Sequence, residues 1–234
     1  MQTLTLPRIA LSDGAVEAMK WLGLMLMTAD HAQKYGMIHA IPGVYEAGRV
    51  AFPLFGIVLA LNLARVQCHH RDMYLRVLTR LLICGELASI PIIALGGLGF
   101  GWWPLNIMGT LAVAVCIISL IESRRPFWKI KAAAVFLLGG ALVEFWWPGV
   151  ALCVGAWLYC KQPTGGAFLL WIAGTAGLTL INGNGWAGAS FVVLVGMASL
   201  VTIEIPRASR WFYLYYPAHL AIILLLGFRI QSPS

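Results

Sequence analysis

Long apolar runs, broken by short polar or glycine-rich joints, fill almost the whole chain. A membrane-spanning helix needs roughly 20 mostly apolar residues, within a range of about 17–25. Nine runs approach or meet that length, over residues 18–38, 49–66, 75–96, 104–122, 130–147, 149–161, 166–182, 187–203 and 211–228. They predict an all-α fold, a polytopic transmembrane helix bundle of about nine spans. A single integral-membrane domain is expected over 1–234, with 1–17 as an N-terminal tail or interfacial segment. The sixth run is short, and "VEFWWPGVALCVG" offers only a Pro-Gly turn before it. A re-entrant segment is the alternative there.

Composition agrees with the pattern. Of the 234 residues, 60% are hydrophobic and 11% charged, against roughly 45–50% and about 25% in soluble domains. The first twenty residues lack the basic, apolar and small-residue regions of a cleavable signal, so none is expected. The net charge of +7 would suit nucleic acid, but its placement argues against that partner. The basic residues sit at the ends of apolar runs, as topology signals do. With the N-terminus inside, the inner ends hold Arg8, Lys20, Arg65, Arg71, Arg76, Arg80, Arg124, Arg125, Lys129, Lys131, Lys161, Arg207 and Arg210. The outer side keeps only Lys34, Arg49 and Arg229. This predicts N-in and C-out. Trp-rich joints such as "GGLGFGWWP" and "WWPG" fit an outer aromatic belt. The five cysteines are scattered without CxxC pairing, so neither a disulfide framework nor a metal site is expected.

Ionisable residues inside the runs carry the candidate chemistry. At 1.5 Å per residue, Asp30 and His31 lie roughly 15 Å beyond Lys20. Glu86 lies roughly 10–15 Å in, Glu144 roughly 20 Å, and His219 roughly 13 Å beyond Arg210. Charges at such depth cost about 2.5–3.5 kcal/mol even on a lenient scale, so these groups should face the protein interior and pair. Tyr215 and Tyr216 precede His219 by four and three residues, on one helix face. Pro217 removes a backbone donor beside them. Asp30 and His31, being adjacent, point about 100° apart and should not bond face to face. Arg49 and Pro53 open the second run, and Asn62 and Arg65 close it. The bland readings are a packed, protonated Glu86, a Glu144 snorkelling to the outer interface, an Arg49 anchor and tyrosines serving only to pack. Two histidines at mid-depth beside an Asp are hardest to explain as packing.

Histidine titrates near neutral pH and serves as acid or base. Three function classes follow: a membrane acyltransferase, a proton-coupled small-solute transporter, and a non-catalytic scaffold. The two halves show no convincing repeat of the kind transporters carry. An intramembrane protease is disfavoured, since GxSxG, HExxH and paired intramembrane Asp motifs are missing.

Three stretches then point to a family. "KWLGLMLMTADHAQKYG" (20–36), "AGRVAFPLFGIVLALNLAR" (47–65) and "FYLYYPAHLAIILLLG" (212–227) resemble the TraX family. Its pattern is a Lys-led first span ending in Asp-His, then Gly-Arg-x-Ala-Phe-Pro-Leu-Phe, and a last span with Phe-Tyr-x-x-Tyr-x-x-His-Leu. The match covers about a quarter of the chain, and the middle agrees mostly by hydropathy. The resemblance implies a multi-pass protein of the bacterial inner membrane that acetylates the N-terminus of a conjugative pilin, with acetyl-CoA as co-substrate and no metal. The wider acyltransferase group includes enzymes that modify sugars, which leaves an envelope sugar as an alternative acceptor. On this reading His31 is expected to act as general base, with Asp30 orienting or charging it. His219 with Tyr216 would stabilise the oxyanion or protonate the thiolate, and the two histidines are exchangeable in role. Arg49, Tyr215, Glu86 and Asn62 are expected at the acceptor, and Arg65, Arg71, Arg76, Arg124 and Arg125 at the phosphates of acetyl-CoA.

Overall fold

The computed structural model describes residues 6–65, 71–200, 205 and 211–231. In chain order the helices are α1 Asp13–Lys34, α2 Val44–Gly48, α3 Ala51–Arg65, α4 Arg71–Ala94, α5 Ile107–Ser123, α6 Trp128–Leu142, α7 Trp146–Lys161, α8 Gly165–Asn182, α9 Ala189–Leu200 and α10 Trp211–Gln231. A short 3-10 turn, Gly185–Gly188, leads into α9. Among the described residues there is no strand. Three segments are long and apolar enough to cross a membrane: Val44–Arg65, Asp72–Ala94 and Gly165–Asn182. Shorter apolar helices run over Ile107–Ser123, Gly185–Ser199 and Trp211–Gly227.

Each of the nine apolar runs lies on one of these helices, but several ends differ. The first helix starts at Asp13, inside the expected tail. Ser12 caps it by accepting from the Ala15 amide at 3.1 Å, and Glu17 pairs with Lys20 at 2.5 Å. Polar residues of the expected tail therefore belong to the start of the helix. The joint between the fifth and sixth runs lies at Val143–Phe145, before the Pro-Gly pair. Pro148 sits in the first turn of α7, where a missing amide hydrogen costs nothing. α7 is a continuous helix of 16 residues, about 24 Å long.

α3 is the axis of the bundle. It buries residues on every side, including Phe52, Leu54, Ile57, Val58, Leu61 and Leu63, as expected of a helix apolar all round. It packs on α7, and α1 lies against it. α5 fills the space between α4, α6 and α7, while α10 packs on α4 and touches α1. α7 and α8 approach closely because glycines face backbone. A Cβ on Gly155 would lie 2.5 Å from the Trp171 nitrogen, the small-residue packing usual where lipid gives no hydrophobic drive. α4 turns Leu82, Ile83, Leu87 and Ile90 outward, as a lipid-facing helix does.

One end of the bundle is pinned by Arg65–Asp13 (2.6 Å), Lys161–Glu122 (3.1 Å) and Tyr159 donating to the Pro7 carbonyl (2.7 Å). At the other end the Leu105 amide donates to the Leu142 carbonyl at 2.7 Å, and the Leu105 carbonyl accepts from the Glu144 amide at 2.8 Å. α5 begins there, capped by Asn106, whose Nδ2 also donates to the Gly85 carbonyl at 2.8 Å and so ties α4 to α5.

Candidate functional site: a histidine pair between two cavities

Asp30 and His31 close α1, and each finds its partner on a different helix. Asp30 is buried and forms an ion pair with Arg49, at the turn between α2 and α3. Arg49 also donates from Nε to the Tyr45 carbonyl at 3.4 Å and lies over the Tyr45 ring. The pair needs a glycine beside it, since a Cβ on Gly48 would stand 2.6 Å from Asp30 Cβ. Asp30 is thus engaged by Arg49 and not by a direct bond to the neighbouring His31. Adjacent helical residues point too far apart to share one partner.

His31 instead meets His219 of α10, Nδ1 to Nε2, at 2.8 Å. The rings are parallel, with centroids 5.1 Å apart. With nitrogens 2.8 Å apart, that separation requires the rings to lie end to end in one plane. The proton inventory follows from the far side. His219 Nδ1 lies 2.9 Å from the Tyr215 carbonyl, which only accepts, so Nδ1 carries the proton. In neutral His219, Nε2 must then accept, and His31 Nδ1 donates to it. Neutral His31 is left with a bare lone pair on Nε2.

Tyr215 locks this register. Its hydroxyl is 2.7 Å from Thr28 Oγ1, which donates its own proton to the Leu24 carbonyl at 2.7 Å. Tyr215 therefore donates to Thr28. Its ring stacks on His219 at 5.2 Å.

Two cavities flank the pair. The larger, about 200 Å³, is lined by Lys20, Asn62 and Arg80 among apolar walls that include Phe55, Met108 and Tyr213. The smaller, about 50 Å³, is lined by Asp30, His31, Arg49, Glu144, Phe52 and Phe145 among others. Met27, Ile107 and Tyr216 line both, so Tyr216 stands at the divide. His31 faces the smaller cavity. His219 lines neither and is only 5% exposed. The pair is thus asymmetric, with one histidine open to a ligand and the other behind it.

The remaining expected residues scatter. Asn62 lines the larger cavity, whereas Tyr215 lines neither and acts through His219 and Thr28. Glu86 is exposed on α4 and lines neither cavity, so it does not share the site. Arg65 is held by Asp13 and the Leu11 carbonyl. Arg76 bonds the Asp72 carbonyl at 3.1 Å, and Arg124 and Arg125 are exposed at the end of α5. None of these four arginines lines a cavity. The side chain of Arg71, together with Arg207, Arg210 and Cys68, lies outside the described residues. Lys20 and Arg80, read in the sequence only as topology signals, are cations that line the larger cavity. A spacing betrayed Lys20: it precedes His31 by eleven residues, about three turns, which places both on one face of α1. Glu144, read in the sequence as a mid-depth ionisable group with snorkelling as its bland alternative, lines the smaller cavity from the turn after α6. Among the described residues no cluster of ligating side chains could hold a metal.

The fold and site define a helical membrane protein with a buried histidine pair between two cavities. A sequence model described as "TraX protein" matches residues 15–227, and the chain belongs to the TraX family. It is similar to Protein TraX of Escherichia coli, 29% identical over 234 residues, covering 92% of this chain and 88% of the relative. Protein TraX of Escherichia coli strain K12 is 28% identical over 92% of this chain and 88% of its own length. No solved structure matches.

Proposed function

We propose that this chain is a multi-pass inner-membrane N-acetyltransferase that moves acetyl from acetyl-CoA to the N-terminal amine of a conjugative pilin. The N-terminus and the Lys20–Arg80 cavity face the cytoplasm, and the nine helical runs span the bilayer. The observation that carries the reading is His31, which lines the smaller cavity and keeps Nε2 as a bare base, with Tyr216 lining both cavities. Family membership supports the same reading.

The larger cavity takes the donor. Lys20 and Arg80 hold its phosphates, and the apolar walls take the arm that carries the thioester. The acceptor amine enters the smaller cavity, with an ordinary pKa of about 7.7–8.0. Its ammonium gives one proton to His31 Nε2, and His219 stabilises the imidazolium by accepting from Nδ1. The neutral amine attacks the thioester carbon, so a C–N bond forms and the C–S bond breaks. The departing thiolate takes the amine's second proton, and His31 later returns its proton to water. Tyr216, at the divide, is placed to donate to the carbonyl oxygen, a contact typically worth about 10²–10³ in rate.

The test uses purified full-length protein in proteoliposomes with pilin and radiolabelled acetyl-CoA. Label on the pilin N-terminus with wild type, and none with His31→Ala, is expected. Label on lipid-linked sugar instead would move the acceptor to an envelope glycan. No transfer, with proton-driven solute uptake, would favour the transporter reading.

A further inference from the structure

The smaller cavity holds a carboxylate that the transfer chemistry above does not use. Glu144 is half-buried in the turn between α6 and α7, and it lines this cavity beside His31. Its own amide is spent on the Leu105 carbonyl at 2.8 Å, so the turn holds it in place. The backbone amide of Ile107, in the first turn of α5, faces its carboxylate. The charged groups around it are Lys34, Arg49 and Asp30. Arg49 is engaged by Asp30, and among the described residues no salt bridge to Glu144 is formed.

Charge counting over the residues that line the cavity gives it a sign. Asp30 and Arg49 cancel, and His31 is neutral in the tautomer chain derived above. Lys34 lies over the Tyr35 ring and does not line the cavity. Among the lining residues the charge left is that of the Glu144 carboxylate. The cavity has room for only a few water-sized groups, at about 50 Å³. That suits the end of a chain and not a sugar ring. A buried carboxylate is costly without a cation or strong donors, and the ligand is the group able to supply one.

We propose that Glu144 is the counter-ion for the acceptor's primary ammonium, and that it makes the smaller cavity selective for an amine over a hydroxyl. The assignment rests on the acetyl-transfer reading for its chemistry, but amine binding is measurable apart from transfer. Glu144 holds the ammonium beside His31 Nε2, which then removes its proton. Without the carboxylate, the amine arrives mostly uncharged or not at all.

A competing account makes Glu144 a latch for the start of α5. Glu144→Gln separates the two, because the amide oxygen still accepts from Ile107 while the charge is gone. The probes are a short apolar peptide with a free N-terminus and its analogue with hydroxyl in place of that amine. Each carries a C-terminal fluorophore and is titrated against the full chain in detergent. The expected result is amine-peptide binding weakened about tenfold or more by Glu144→Gln, the scale of a lost charged hydrogen bond. Hydroxyl-peptide binding should change less than about twofold, and Glu144→Asp should recover part of the amine preference. Equal effects on both peptides, or none, would overturn the assignment. Should Glu144→Gln unfold, the wild type itself decides, because equal affinity for the amine and hydroxyl peptides would overturn the assignment. If amine preference depends on Glu144 while wild type transfers no acetyl from acetyl-CoA, the transfer reading fails and the ammonium site stands.

Discussion

His31 and His219 share one in-plane hydrogen bond of 2.8 Å, and only His31 reaches a cavity. The two act as a unit, one exchanging protons with the ligand and the other fixing its tautomer, as an acid fixes the histidine of a catalytic triad. His31→Ala should lower kcat by about 10²–10⁴. His219→Ala should lower kcat by a smaller factor and leave the KM of both substrates nearly unchanged. The double variant should be no slower than His31→Ala alone, since members of a unit are not additive. Steady-state rates in detergent check all three.

The Asp30–Arg49 pair is a structural clamp on α1 and α2. Asp30→Asn or Arg49→Gln strands a buried charge, at a cost of about 3–5 kcal/mol. The double variant strands neither and should recover much of that loss. Gly48→Ala pushes a Cβ into Asp30 and should cost about 1–3 kcal/mol by overpacking. Thermal unfolding in detergent reads each as a lowered midpoint.

Lys20 and Arg80 line the larger cavity, whereas Arg124 and Arg125 lie at the exposed end of α5. Lys20→Gln with Arg80→Gln should raise the KM for acetyl-CoA about tenfold or more, as lost charged hydrogen bonds do. Arg124→Gln with Arg125→Gln should change it less than about twofold. Isotope-labelled acetyl-CoA titrations distinguish the two pairs of sites.

The ends of the bundle give the topology a direct check. Phe100, in the joint after α4, and Arg125, in the joint after α5, are both exposed. With the N-terminus inside, a membrane-impermeant thiol reagent should label Phe100→Cys in spheroplasts. Arg125→Cys should be labelled only after permeabilisation. The reverse pattern would invert the chain.

Helix positions were legible in the sequence because hydropathy alone marks them. Their ends were less so, because a Pro-Gly pair reads as a break whether it closes one helix or opens the next, as Pro148 does. The meeting of His31 with His219 was approached through shared depth and the Tyr215–Tyr216 face. Depth does not give azimuth, however, and Glu86, at similar depth, turns out to face outward. Asp30's partner depended on α2, a five-residue helix whose packing places Gly48 against α1. Glu144 was legible as an ionisable group at depth, but its direction was not, because a turn residue takes its direction from the helices it joins.

The central claim is that His31 is the base in acetyl transfer to a membrane-embedded amine. It is tested most directly by intact-mass spectrometry of the pilin from cells carrying the wild-type gene, the His31→Ala gene or no gene. The account predicts a mass increment of one acetyl group, at the N-terminus, with wild type alone. A pilin of identical, unmodified mass in all three, or an acetylated pilin with His31→Ala, would contradict it.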